Sequence, residues 1–122
     1  MRRNEDNMTI KECYEQMGAD YEDVLRRLGS EQMVERFALK FLEEKTFDHL
    51  KEALGRKDAE EAFCAAHTLK GICLNLGFNN LFTVSSELTE KLRPREIEGS
   101  EELFRKVQEQ YDITIQALKS LG

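Results

Sequence analysis

Apolar residues in this chain return every three or four positions, and glycines, capping side chains and a single proline cut the runs they form. Residues three and four apart share a face only in a helix, so this spacing constrains the fold more than any other feature. Thr9 is placed to cap a helix through Met17, stopped by Gly18, and Asp20 to cap a second through Leu28, stopped by Gly29. Ser30 opens a longer segment with Met33, Val34, Phe37 and Phe41, then Phe47, Leu50 and Leu54, on its apolar side. The stripe drifts near Lys45 and Thr46, so the segment bends or divides there. Gly55 and Arg56-Lys57-Asp58 mark a turn. Asp58 caps a helix from Ala59 to about Leu76, ended by Gly77, with Glu60 and Glu61 complementing its dipole. Leu81, Val84, Leu88 and Leu92 carry a further helix, which ends near Arg93 because Pro94 disfavours helical geometry in the residue before it. After the KLRPREIEG connector and Ser100, Leu103 or Phe104, Val107, Tyr111, Ile115 and Leu118, with Leu121, keep the helical interval. The chain is poor in β-branched clusters and hairpin turns. It is expected to be all-α, an antiparallel four-helix bundle with short N-terminal capping helices.

At 122 residues, 40% of them apolar, the chain has room for one domain, 1–122, with a real core. Its 24 acidic against 18 basic residues, a net charge of −6, argue against a surface built to neutralise nucleic-acid phosphates. No apolar run approaches the roughly 18–20 residues that cross a bilayer, and the start, MRRNEDNMTIKE, lacks the apolar stretch of a secretory signal. Three cysteines at unpatterned spacing, Cys13, Cys64 and Cys73, read as thiols in a reducing compartment, so a cytoplasmic location is expected. Met1 and a last helix ending at Leu121-Gly122 favour a free-standing protein.

One helix departs from the usual division into an apolar stripe and a solvated face. In AEEAFCAAHTLKGICLNLG, steps of about 100° put Ala62, Ala65, Leu69, Ile72, Cys73 and Leu76 on the core side. The other side collects Glu60, Phe63, Cys64, His67, Lys70, Gly71 and Leu74. An outward histidine with a lysine three residues on and a glycine four residues on is an accessible imidazole beside a cation, with no side chain blocking approach. Neutral imidazole is nucleophilic near neutral pH, its unperturbed pKa being about 6.5. Lys70 can offset the charge of a phosphoryl group as a mobile point charge. Gly71 costs roughly 0.5–1 kcal/mol relative to alanine inside a helix, and close approach of a partner supplies a reason for it.

His67-Thr68-Leu69-Lys70-Gly71, continuing through Asn75-Leu76-Gly77, resembles the H-x-L-K-G-x-x-x-x-L-G signature of histidine-containing phosphotransfer (HPt) domains. The resemblance runs from about residue 18 to 93 and includes Leu25-Arg26-Arg27-Leu28-Gly29, Phe41-Leu42-Glu43, and Asp58 followed by Ala66-His67. The helix at about 100–121 fits by position and length and completes the bundle. The resemblance implies a phosphorelay carrier of a two-component system, in which His67 accepts and donates a phosphoryl group in exchange with receiver-domain aspartates. Lys70 matches the supporting cation and Gly71 the clearance position. Glu60, Phe63, Cys64, Thr68, Leu74 and Thr89 are the expected docking residues. Receiver domains and a hybrid histidine kinase are the implied partners of a monomeric protein, and the Mg²⁺ belongs to the receiver, with no cofactor of its own expected. The sequence has no Walker-type or Gly-rich phosphate loop, so it reads as a carrier rather than a stand-alone kinase. Some family members carry a glutamine near the histidine on the following helix. Counting forward places Thr89 there, a shorter side chain and a departure from the pattern. Ile72 and Leu74 also stand where the family often has small residues; Ile72 is assigned to the core and Leu74 to docking.

The alternative is a non-catalytic helical interaction or metal-binding module. Cys64 and His67 share a face with Glu60 and can begin a zinc site, but the remaining candidates, Cys13 and His49, have no matching spacing, and Lys70 repels a cation. His49 reads as a surface histidine, Cys73 as a small core residue, and Arg93 and Arg95 around Pro94 as a solvated connector.

Overall fold

The computed structural model describes residues 8–121; residues 1–7 of the chain start read above for a signal sequence lie outside them. The described residues form α1 (Ile10–Met17), α2 (Tyr21–Leu28), α3 (Glu31–Lys40), a 3₁₀ turn (Phe41–Glu43), α4 (Thr46–Gly55), α5 (Ala59–Leu76), α6 (Asn79–Leu92) and α7 (Glu101–Lys119). Short connections make α4, α5 and α6 successive antiparallel neighbours, and α7 closes the bundle against α6. Phe47 of α4 stacks on Phe104 and Tyr111 of α7, at 5.6 and 4.0 Å between ring centroids.

The caps work as their chemistry dictates. Thr9 and Glu12 form a reciprocal box, Thr9 Oγ1 accepting from the Glu12 N–H (3.1 Å) and Glu12 Oε1 accepting from the Thr9 N–H (2.9 Å). Asp20, Ser30 and Asp58 each accept a hydrogen bond from the N–H three residues on. The long segment after Ser30 divides, as one of its two expected forms: α3 tightens into the 3₁₀ turn, Glu44 turns extended, and α4 starts at Thr46, whose hydroxyl donates to Glu44 Oε1 (2.8 Å). The next turn falls where Gly55 and Arg56-Lys57-Asp58 mark it. Gly55 is still helical, and the left-handed residue is Lys57 (φ 60°), which brings the Asp58 N–H to the Ala53 carbonyl at 2.8 Å.

The N-terminal helices clamp one end of the bundle. Tyr14 donates its hydroxyl to the Leu76 carbonyl (2.7 Å), and the Asp20 N–H donates to the Gly77 carbonyl (2.8 Å). Tyr14, Phe78, Phe41 and Tyr111 then follow one another at 5.3–5.9 Å, within the range in which aromatic pairs attract. At the chain ends the Met8 N–H donates to the Ser120 carbonyl (2.8 Å). Cys13 and Cys73 are buried thiols, Cys73 in the core as expected. Burial pushes Cys13 up to about 11, with the charges of Glu12 and Glu35 adding to the rise.

Gly77 ends α5 at φ 72°, and a Cβ there would collide with Val24 and lie 3.1 Å from the Asp20 carbonyl. Gly77→Ala is therefore expected to lose about 1–3 kcal/mol in urea unfolding, from the left-handed backbone and the displaced neighbours. Gly71→Ala, whose Cβ meets nothing within 4 Å, is the matched control and is expected to gain roughly 0.5–1 kcal/mol.

Candidate functional site

Helix α5 buries Ala62, Ala65, Ala66, Leu69 and Cys73 and turns the rest of its circumference outward. Ile72 and Leu76 are half-buried against the core. On the outer side, Glu60, Cys64, His67, Thr68 and Leu74 are exposed, with Phe63, Lys70 and Gly71 half-exposed among them. Leu74, at 59% exposure, is a large apolar side chain left open to solvent one turn beyond Gly71. The space into which a side chain at Gly71 would project is empty. His67 makes no hydrogen bond with any described residue; its ring packs against Phe63, 6.0 Å between centroids and tilted by 36°.

Thr89 is not part of this surface. It is fully buried in α6 and donates its hydroxyl to the Ser85 carbonyl at 2.7 Å. The correction follows from helical register: Thr89 lies one turn after buried Ser85 and beside Leu88, so it points inward. Its neighbour Glu90 faces the site instead. Two hydrogen bonds from Arg93, at 2.7 and 3.1 Å, hold the Glu90 carboxyl below its ordinary value against the opposing pull of desolvation. The charges of Arg93, Lys70 and His67 lower it further.

Arg93 and Arg95 of the connector after α6 are exposed, as read from the sequence, and they also reach the site. The Arg95 guanidinium lies 3.9 Å from the centroid of the Phe63 ring and that of Arg93 lies 5.3 Å from it. Arg95 Nε donates to Glu60 Oε1 (2.9 Å), and Arg95 Nη1 donates to the Arg93 carbonyl (2.7 Å). This bonding, with the Arg95 charge, holds the Glu60 carboxyl below the usual glutamate range. The pair of basic residues around Pro94 was visible in the sequence, but which helix they fold back on depends on the left-handed turn at Arg95 (φ 64°), for which the residue type carries no signal.

Cys64 Sγ lies 3.7 Å from Glu60 Oε2. Desolvation first, then the Glu60 charge, raises its pKa, so it remains a protonated thiol at neutral pH. Among the described residues no three His, Cys, Asp or Glu side chains converge as a metal ligand set. His49, exposed as expected, sits across a groove of about 300 Å³ that it lines with Cys64 and Thr68. His67 does not line that groove and is exposed to solvent.

The family model of the Hpt domain matches residues 33–120. The chain belongs to the Hpt domain family, and so to the phosphotransfer carriers of two-component signalling, which work with receiver domains and kinases in phosphorelays. The match takes in α7 and omits α1 and α2, so the Leu25-to-Gly29 stretch that entered the resemblance lies outside it. No curated protein and no solved structure matches the chain. No helix among the described residues is long and apolar enough to cross a membrane.

Arg93→Gln removes the main support of the Glu90 carboxylate. Its midpoint in a ¹³C NMR pH titration is expected to rise toward the ordinary glutamate value. An unchanged midpoint would show that Arg93 is not what lowers it.

Proposed function

We propose that His67 carries the phosphoryl group of this Hpt domain, exchanging it with an aspartyl phosphate on a receiver domain. The observation that carries this reading is the exposed imidazole with Lys70 one turn on and open space at Gly71, within the matched family region. In the forward step an unprotonated ring nitrogen attacks phosphorus, the N–P bond forms as the P–O bond to the aspartate breaks, and the aspartate leaves as carboxylate. The reverse step returns the group to a receiver. Such a transfer depends on positioning and electrostatics more than on covalent assistance. Lys70 offsets charge on the phosphoryl oxygens, and the receiver brings Mg²⁺, so the carrier supplies a nucleophile and a docking face.

That face is Phe63, Cys64, Thr68 and Leu74 with Glu60 at its edge, an apolar patch around a reactive group. On this reading the protein works as a monomer in the cytoplasm, where its thiols stay reduced, and its donors are receiver domains, including that of a hybrid histidine kinase. The alternative of a non-catalytic interaction or metal-binding module has no converging ligand set among the described residues to favour it.

Incubation with a phosphorylated receiver is expected to label the protein with an acid-labile, alkali-stable phosphate, and His67→Gln to abolish the label. Absence of label across a panel of receivers, or equal labelling of His67→Gln, would falsify the assignment. Gly71→Gln is expected to slow transfer by obstructing approach while raising stability by roughly 0.5 kcal/mol, glycine being the poorer helix former. A loss of helicity in its circular dichroism spectrum would instead give Gly71 a packing role.

A further inference from the structure

The orientation of the His67 ring lacks the support expected of it, because Thr89 is buried and no described residue hydrogen-bonds the imidazole. The ring's one aromatic neighbour is Phe63, one turn back on α5. Phe63 is itself held from outside the bundle: the Arg95 guanidinium lies at cation–π distance (3.9 Å), with Arg93 beyond it (5.3 Å). Arg95 in turn is fixed at three points. Its Nε donates to Glu60 (2.9 Å), its Nη1 to the Arg93 carbonyl (2.7 Å), and its backbone N–H to the Leu92 carbonyl (2.8 Å). It also adopts φ 64°, a conformation that a residue with a side chain rarely takes. A solvated link needs none of these contacts.

We infer that Arg95 is a positioning residue for phosphoryl exchange, acting through Phe63 to set the orientation of the His67 imidazole. The inference rests on His67 being the phosphoryl carrier. A tilted aromatic neighbour, clamped by the α6–α7 connector, stands in for a hydrogen-bond partner from α6. This packing limits the tilt of the ring and occupies neither of its nitrogens, so either one can meet phosphorus or exchange a proton with solvent.

The test is Arg95→Gln, at a partly exposed position where the bundle stays folded. At saturating phosphorylated receiver its transfer rate is expected to fall about two- to fivefold, the range that an exposed cation–π contact supports. The receiver Kd is expected to change less than the saturating rate, and Arg95→Lys to recover most of the rate. Made in a Phe63→Leu background, Arg95→Gln is expected to add no further loss, because the two side chains act as one unit. Without any receiver, the ¹⁵N and ¹³C resonances of the His67 ring are expected to shift in Arg95→Gln and to return in Arg95→Lys. A raised Kd with unchanged saturating rate and unchanged His67 resonances makes Arg95 a docking residue and overturns the inference. Multiplying losses in the double variant overturn it as well. If the wild-type protein takes no label while the His67 resonances still respond to Arg95, the positioning link stands and the phosphoryl-carrier reading is what fails.

Discussion

The seating of α5 between α4 and α6 is the constraint from which the site follows. Ala62, Ala65 and Ala66 are buried where larger side chains would hold the neighbouring helices apart, while Leu69 and Cys73 fill the space nearer the C-terminal end. Such a helix spends one side on packing, and close packing tolerates little change of volume there. The remaining side must face solvent, and His67, Lys70 and Gly71 lie on it by register alone. Presentation of the imidazole is thus a consequence of core packing, without any loop or pocket to build it.

The clamp at the end of α5 has a second effect. Tyr14, Asp20 and Phe78 satisfy the last carbonyls of α5 and fasten the turn at Gly77 to the N-terminal helices. His67 lies in mid-helix, remote from either terminus, where the backbone groups are paired within the helix and the macrodipole has faded. Charge at the site therefore has to come from side chains, and Lys70, without an ion pair to a described residue, is the cation that supplies it. This differs in kind from phosphate sites built on helix N-termini, which use backbone N–H groups.

Most of the architecture was legible because it rests on local rules. Thr9, Asp20, Ser30 and Asp58 cap the helices they precede, and the stripe on α5 needs only the 100° step to divide core from surface. The turn after α4 falls where Gly55 and Arg56-Lys57-Asp58 mark it, but nothing in residue type says that Lys57 takes the left-handed conformation there. The site divided along the same line. His67, Lys70, Gly71 and Leu74 belong to one helix and are read from their spacing. Thr89 was misplaced by counting along the chain where register on α6 decides. Glu90, Arg93 and Arg95 arrive from a second helix and a left-handed turn, and contacts across elements leave no periodic trace in sequence.

Those residues, with Lys70, bear on how a chain with a net charge of −6 can present the surface that the proposed function needs. Distant charges are screened over a Debye length of about 8–10 Å, so what an approaching phosphoryl group meets is the charge on the site itself. There, Arg95 is paired with Glu60 and Arg93 with Glu90. Lys70 forms no ion pair with a described residue, and its influence on Glu90 is through space. The pairs place rigid guanidinium groups beside Phe63 while cancelling their charge, which leaves Lys70 as the cation free to turn toward a group carrying about −1.5 to −2. On the proposed phosphoryl-carrier reading, one mobile lysine beside paired arginines suits a group that has to be both accepted and released.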